Sequence, residues 1–250
     1  ETAQFGVDQV NEAGGVAGCN VAMVFRDSQV DPKIGVDAAK ALVDLDGVQV
    51  LLGAVSSGVS MPILTSVTVP GNVLQMSCCS SSTAFTKLAE EGKTKQLFFR
   101  TFATTGVQAA VGAKVAKDQG YKSVAILYKN DDWGQDLQNL ISKDFKALGI
   151  TVTSATAIND GQPSYRAEVT SALSGNPDAL YLGLYPNEGS AAVREWLSLG
   201  GTQNMIMANS LKSDEFRDNV GLQYLGKTFG TDTASPRVAS ADSFVTAYEA

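Results

Sequence analysis

Ser123-Val124-Ala125-Ile126-Leu127-Tyr128, followed by Lys129-Asn130-Asp131-Asp132-Trp133-Gly134, decides how this chain folds. The first six residues are an apolar run without polar alternation, the pattern of a strand buried on both faces. The next six are polar and close on a glycine. Beyond them Leu137, Ile141, Phe145 and Leu148 recur at spacings of four, four and three, drawing one apolar stripe along a helix that Gly149 stops. Another β-rich run begins at residue 150. Strand, helix and strand within about thirty residues make a parallel crossover unit.

The same alternation extends in both directions. β-rich runs are expected at 20–25, 48–52, 73–76, 97–102, 150–155, 179–184 and 205–208. Tyr165, Val169 and Leu173 mark one helix, and Ala192, Trp196 and Leu199 mark another that ends at Gly200-Gly201. Asp31-Pro32 reads as an N-cap followed by proline at the first helical position, with Gly47 closing that helix. Gly14-Gly15-Val16-Ala17-Gly18 follows a helix and precedes a β-rich run, the reverse of a phosphate-binding loop, so it reads as a C-cap and turn. The fold class is therefore α/β, with parallel sheets flanked by helices. Residues 1–13 form a helix with no strand before it, and 240–250 begins another, so the chain is expected to be a fragment. Soft boundaries fall where 97–102 runs into a helix at 104–117, and around 230–236. They divide the chain into 1–103, 104–232 and a short 233–250.

Composition narrows the chemistry. With 19 basic and 26 acidic residues the net charge is −7, which disfavours nucleic acid and anionic lipid. The chain has no histidine, which removes the Ser-His-Asp and Cys-His arrangements, histidine metal sites and the usual neutral-pH general base. No cofactor or metal is expected, and an enzyme would need a base among Asp27, Asp132 and Glu188. Of the three cysteines, Cys19 begins a β-rich run whereas Cys78 and Cys79 end one. In a parallel sheet those rims lie roughly 15–20 Å apart, too far for a bridge. Free, buried thiols are the expectation.

Ligands of open parallel sheets sit beyond the carboxyl ends of the strands. Two groups stand out there. Ser56-Ser57-Gly58 and Ser80-Ser81-Ser82 place hydroxyls and free N–H groups at helix starts, as an uncharged pocket for a carboxylate or as ordinary caps. Trp133 and Tyr185 each follow a strand in a polar loop, suited to walling a small ligand. Asp131-Asp132 with Asp136 lacks the spacing of a calcium loop and reads as capping.

These stretches carry a resemblance. Asn11-Glu12-Ala13-Gly14-Gly15, Arg26-Asp27-Ser28-Gln29-Val30-Asp31-Pro32, Gly53-Ala54-Val55-Ser56-Ser57, Phe99-Arg100-Thr101, Tyr128-Lys129-Asn130-Asp131-Asp132-Trp133-Gly134 and Tyr185-Pro186-Asn187-Glu188-Gly189 resemble, in order, the periplasmic branched-chain amino-acid binding proteins. These are type I solute-binding proteins of ABC transporters. The resemblance implies two α/β lobes and a cleft that closes on one solute. It also implies that a first strand and a C-terminal return segment are missing here. By the same likeness Ser57, Cys79 and Ser81 hold a ligand carboxylate, and Trp133 and Tyr185 wall the pocket from the second lobe. Ser210 stands where the family's amino-acid binders often carry an acid for the ligand ammonium. A serine cannot neutralise a buried ammonium. That leaves either Glu188 or Asp132 in the role, or a solute without an ammonium. The function implied is an extracytoplasmic, monomeric, non-enzymatic solute-binding protein. It would deliver a small molecule to a membrane permease, with no nucleic-acid partner and no cofactor. The alternative is a ligand-sensing domain of a receptor or regulator.

Overall fold

The structure, a computed structural model, describes residues 2–233 and 239–249. Among the described residues eight strands form two parallel sheets. β1 (Val50–Leu52), β2 (Leu74–Ser77) and β3 (Phe98–Arg100) lie in sequence order in the first. β4 (Ser123–Lys129), β5 (Thr151–Ile158), β6 (Ala179–Gly183), β7 (Met205–Met207) and β8 (Thr228–Gly230) form the second, in the order β5-β4-β6-β7-β8. The helices in chain order are α1 (Thr2–Glu12), α2 (Pro32–Asp44), α3 (Ser57–Ile63), α4 (Ala84–Glu90), α5 (Thr105–Asp118), α6 (Asp132–Ala147), α7 (Arg166–Leu173), α8 (Pro186–Ser198), α9 (Asp214–Val220) and α10 (Ala239–Glu249). A π-helical turn, Leu64–Thr68, continues α3.

In the second sheet β4, β6 and β7 divide their side chains between two cores, as a period of two requires. Ala125, Leu127, Leu180, Leu182, Met205 and Met207 face one core, together with Trp196 and Phe216. Val124, Ile126, Ala179, Tyr181 and Ile206 face the other, where Leu137, Ile141 and Phe145 of α6 meet them. The stripe read from the sequence is thus the buried face of α6. Local punctuation also holds: Asp31 caps α2 by accepting from the Ile34 N–H at 2.8 Å, and Pro32 is its first residue. After α1, the Gly15 N–H donates to Val10 O at 2.9 Å in a turn where Gly14 and Gly15 take positive φ.

The first sheet departs from expectation in two ways. Residues 20–25 form no strand; Asn11 instead exchanges both amide bonds with the Val21 backbone, at 2.7 and 2.9 Å, and Phe25 stays 59% exposed. A strand needs a ladder partner, and here a side chain has taken its place. Only one face of this sheet is covered, since Val50, Leu52, Met76 and Phe99 remain between 37% and 56% exposed. α1 turns to α10, where Phe5 meets Phe244 and Tyr248 edge-on at 5.4 and 5.3 Å. Of the boundary expected at 230–236, residues 234–236 lie outside the described residues.

Candidate functional site

The order β5-β4-β6-β7-β8 places a switch point between β4 and β6, because the chain leaves β4 toward one edge and returns on its other side. In open parallel sheets the loops after the two strands that flank such a switch point are where ligands are held. Trp133 comes from the first loop and Tyr185 from the second. Asp131 caps α6 by accepting from the N–H groups of Trp133 (3.1 Å) and Gly134 (2.8 Å). Gly134 allows this turn because a Cβ there would lie 2.0 Å from Lys129 O. Tyr185 opens α8 ahead of Pro186, with the Glu188 carboxylate accepting from its N–H at 3.1 Å.

These caps bring the two rings face to face, 5.1 Å apart and 19° from parallel. Trp133 is 5% exposed and belongs to the α5–α6 core, so the polar residues around it in sequence do not keep its ring out of the interior. One aromatic pair closes the core and faces the first lobe.

Ser56 is what it meets. The Tyr185 hydroxyl donates to Ser56 Oγ at 3.1 Å, joining residues 129 positions apart. Ser56 is the N-cap of α3, accepting from Gly58 N–H at 3.2 Å, and its hydroxyl lies 3.4 Å from Asp131 Oδ2. Gly58 packs so closely on Asp131 that a Cβ would fall 2.9 Å from the aspartate. Ser57 is buried and turns inward, its Oγ accepting from Ser82 N–H at 3.1 Å; its own proton remains to be donated. Ser81 is buried, and its carbonyl accepts from the N–H of Thr105 at 2.9 Å. Ser210 donates to Leu184 O at 2.6 Å, beside the start of the Tyr185 loop. Cys79 is half-buried. The thiols are free, but Cys19 and Cys78 are exposed, which corrects the expectation of burial: both sit in turns outside the sheet interiors.

A second junction lies beside the first. Asp136 of α6 accepts from Thr83 N–H (2.7 Å), from Thr83 Oγ1 (2.6 Å) and from Thr105 Oγ1. Arg100, at the end of β3, donates to Ser80 O (3.2 Å), Ser82 O (2.7 Å) and Thr86 Oγ1 (2.6 Å), and feels the charge of Asp136. Sequence reasoning missed Ser56 as the contact and Asp136 as the junction. Residue type alone does not tell which hydroxyl of a Ser-Ser pair caps a helix and which turns inward.

The cleft is not the uncharged crevice expected. Lys129 is buried beneath Tyr185, its Nζ 5.9 Å from the ring centre, 3.6 Å from Glu188 and paired with Asp160. Burial pushes the Asp131 pKa above its ordinary value of 3.8, against the N–H bonds of Gly134 and Trp133 and the charge of Lys129. Burial likewise raises Tyr185, keeping its hydroxyl a donor. A raised carboxylate pKa means that the protonated form fits the packed arrangement better. This contribution is complete below 3.8 and is lost as pH rises through the higher folded-state value. Asp131→Asn should therefore flatten the pH dependence of stability in the window that starts at 3.8 and extends upward, as urea titrations at stepped pH would show. Tyr185→Phe should weaken the contact between lobes by about 1 kcal/mol, the worth of one hydrogen bond. A cycle with Ser56→Ala, read by denaturant unfolding, should show the two losses coupled rather than additive.

Among the described residues no group of three or more His, Cys, Asp or Glu side chains is placed to hold a metal ion. No helix among them is long and apolar enough to cross a membrane.

Two parallel α/β sheets, meeting through the loops beyond their strand ends, define a two-lobed binding protein of the type I periplasmic architecture. The chain belongs to the periplasmic binding protein family, whose model matches residues 1–250. A Leu/Ile/Val-binding protein, BraC3, from Rhizobium johnstonii is 33% identical over 242 residues, covering 96% of this chain and 64% of that protein. The chain thus spans under two thirds of the length of this relative. The substrate-binding protein LivJ of a branched-chain amino-acid transporter from Streptococcus pneumoniae, in complex with isoleucine, superposes with a TM-score of 0.82 at 19% identity, covering 99% of this chain and 70% of that one. An ABC-transporter solute-binding protein from R. palustris, in complex with 4-hydroxybenzoate, gives a TM-score of 0.74 at 20% identity, over 89% of this chain and 60% of that one.

Proposed function

We propose that this chain is the ligand-binding part of an extracytoplasmic solute-binding protein that serves an ABC importer. It captures one small carboxylate-bearing solute between its lobes and presents the closed form to a membrane permease. The lobes are residues 1–103 and 104–232, with 233–250 returning toward the first; the packing of α10 on α1 supports that return. The observation that carries the reading is the Tyr185–Ser56 bond with Trp133 stacked behind it, a clamp from one lobe shut directly on a helix start of the other. A solute enters by replacing that bond. Ser57, through its unused proton, and the Cys79 and Ser81 segment anchor the carboxylate, while Trp133 and Tyr185 wall the remainder. Closure then follows from contacts that the closed form alone provides.

The carboxylates near the clamp bear on the class of solute. Glu188 is committed to Lys129 and to the Tyr185 N–H, and Ser210 to Leu184 O. Neither is left to receive an ammonium. An organic acid without a charged amine fits this arrangement. The isoleucine bound by the LivJ protein favours a second reading, a branched-chain amino acid, whose ammonium would meet Asp131 beside Ser56. Denaturing the purified protein and identifying the released small molecule by mass spectrometry separates the two. Calorimetry with that molecule then checks them: an organic acid supports the first, a branched-chain amino acid the second, and a molecule without a carboxylate overturns both.

A further inference from the structure

We propose that Cys78 and Cys79 form a reversible thiol–disulfide exchange site in the turn that follows β2, closed to a ring bridge by an incoming small-molecule or protein disulfide. The two residues follow β2 directly, and their sulfurs touch at 2.7 Å. Both thiols are free, Cys78 exposed and Cys79 half-buried. The Ser77 hydroxyl accepts from the N–H groups of Cys79 (3.2 Å) and Ser80 (3.0 Å), which holds the turn that carries the pair.

Exposure assigns the order of events. The Cys78 thiolate attacks one sulfur of the incoming disulfide; that S–S bond breaks, one thiol leaves, and Cys78 carries a mixed disulfide. Cys79 then gives its proton to solvent and attacks the Cys78 sulfur, expelling the second thiol. The two protein thiols lose two electrons, and the incoming disulfide gains them as it becomes two thiols. Burial and the neighbouring Cys78 push the Cys79 thiol up to about 12, which suits it to the second step rather than the first.

Geometry also makes the bridge labile. Neighbouring Cα atoms are about 3.8 Å apart across a trans peptide, below the roughly 4.4–6.8 Å of ordinary disulfides. Such a ring is strained and easily reduced, the property of exchangeable rather than structural bridges. The chemistry is independent of which solute the cleft takes.

The test is to treat the reduced full chain with oxidised glutathione, alkylate the remaining thiols, and map the peptides by mass spectrometry. Wild-type protein should yield a 78–79 peptide lacking two hydrogens and carrying neither alkyl group nor glutathione. Cys79→Ser should stop at a glutathione adduct on Cys78, and Cys78→Ser should react about tenfold or more slowly, as its remaining thiol is less exposed. A lasting glutathione adduct on wild-type Cys78, or a pair still fully alkylated under conditions that modify exposed Cys19, would overturn the proposal.

Discussion

Trp133→Ala is expected to weaken solute binding at least fivefold, about 1 kcal/mol, and to lower folding stability by about 3 kcal/mol. Both effects come from one ring. Its buried side packs with the α5–α6 core, so truncation leaves a cavity among Leu137, Ile141 and Tyr181. Its other side stacks on Tyr185 at 5.1 Å and sets the angle at which that hydroxyl reaches Ser56. Calorimetry with the solute recovered from the wild-type protein measures the first effect, and urea unfolding the second. Trp133→Phe keeps an aromatic face and should restore most of the stability while recovering less of the binding. Affinity unchanged in both variants would remove Trp133 from the pocket.

Asp136→Ala should loosen the lobes by about 3 kcal/mol. Its carboxylate accepts from one N–H and two hydroxyls, and bonds to a charged acceptor are each worth roughly 1.5–3 kcal/mol. The buried Thr105 hydroxyl can turn to Ser81 O, 2.9 Å away, so the loss falls below the sum. Arg100 would also lose the charge that opposes its desolvation. Small-angle X-ray scattering should show a larger radius of gyration for the variant, and its unfolding should separate into two transitions. A single transition at the wild-type midpoint would show that Asp136 is not a junction between lobes.

Much of the architecture is legible in short-range signals. The run Ser123–Lys129, the stripe of Leu137, Ile141 and Phe145, the cap at Asp31-Pro32 and the turn at Gly14-Gly15 depend only on neighbours within a few residues, and each appears as read. The family likeness rested on the same segments. Signals of this range fail where a partner must be chosen. Residues 20–25 carry β-forming side chains but no instruction about which edge they join, and Asn11 occupies their backbone instead. Exposure of Cys19 and Cys78 likewise follows from where the sheets end rather than from residue type.

The candidate site divides along the same line. Trp133, Tyr185 and the serine clusters are legible because they follow strands, and a strand end is a local fact. That Tyr185 meets Ser56 rather than Ser57, and that Asp136 ties Thr83 to Thr105, are choices made across 129, 53 and 31 positions of sequence. The sequence by itself determined most of the elements, their parallel winding and the loops able to carry chemistry, the run at 20–25 excepted. These follow from hydrophobic periodicity and backbone capping, which act over one or two turns. Only the tertiary structure decided which hydroxyl faces the opposite lobe and which carboxylate is buried against it. Packing two lobes together settles the exposure and partner of every polar group between them, and no residue carries that information alone.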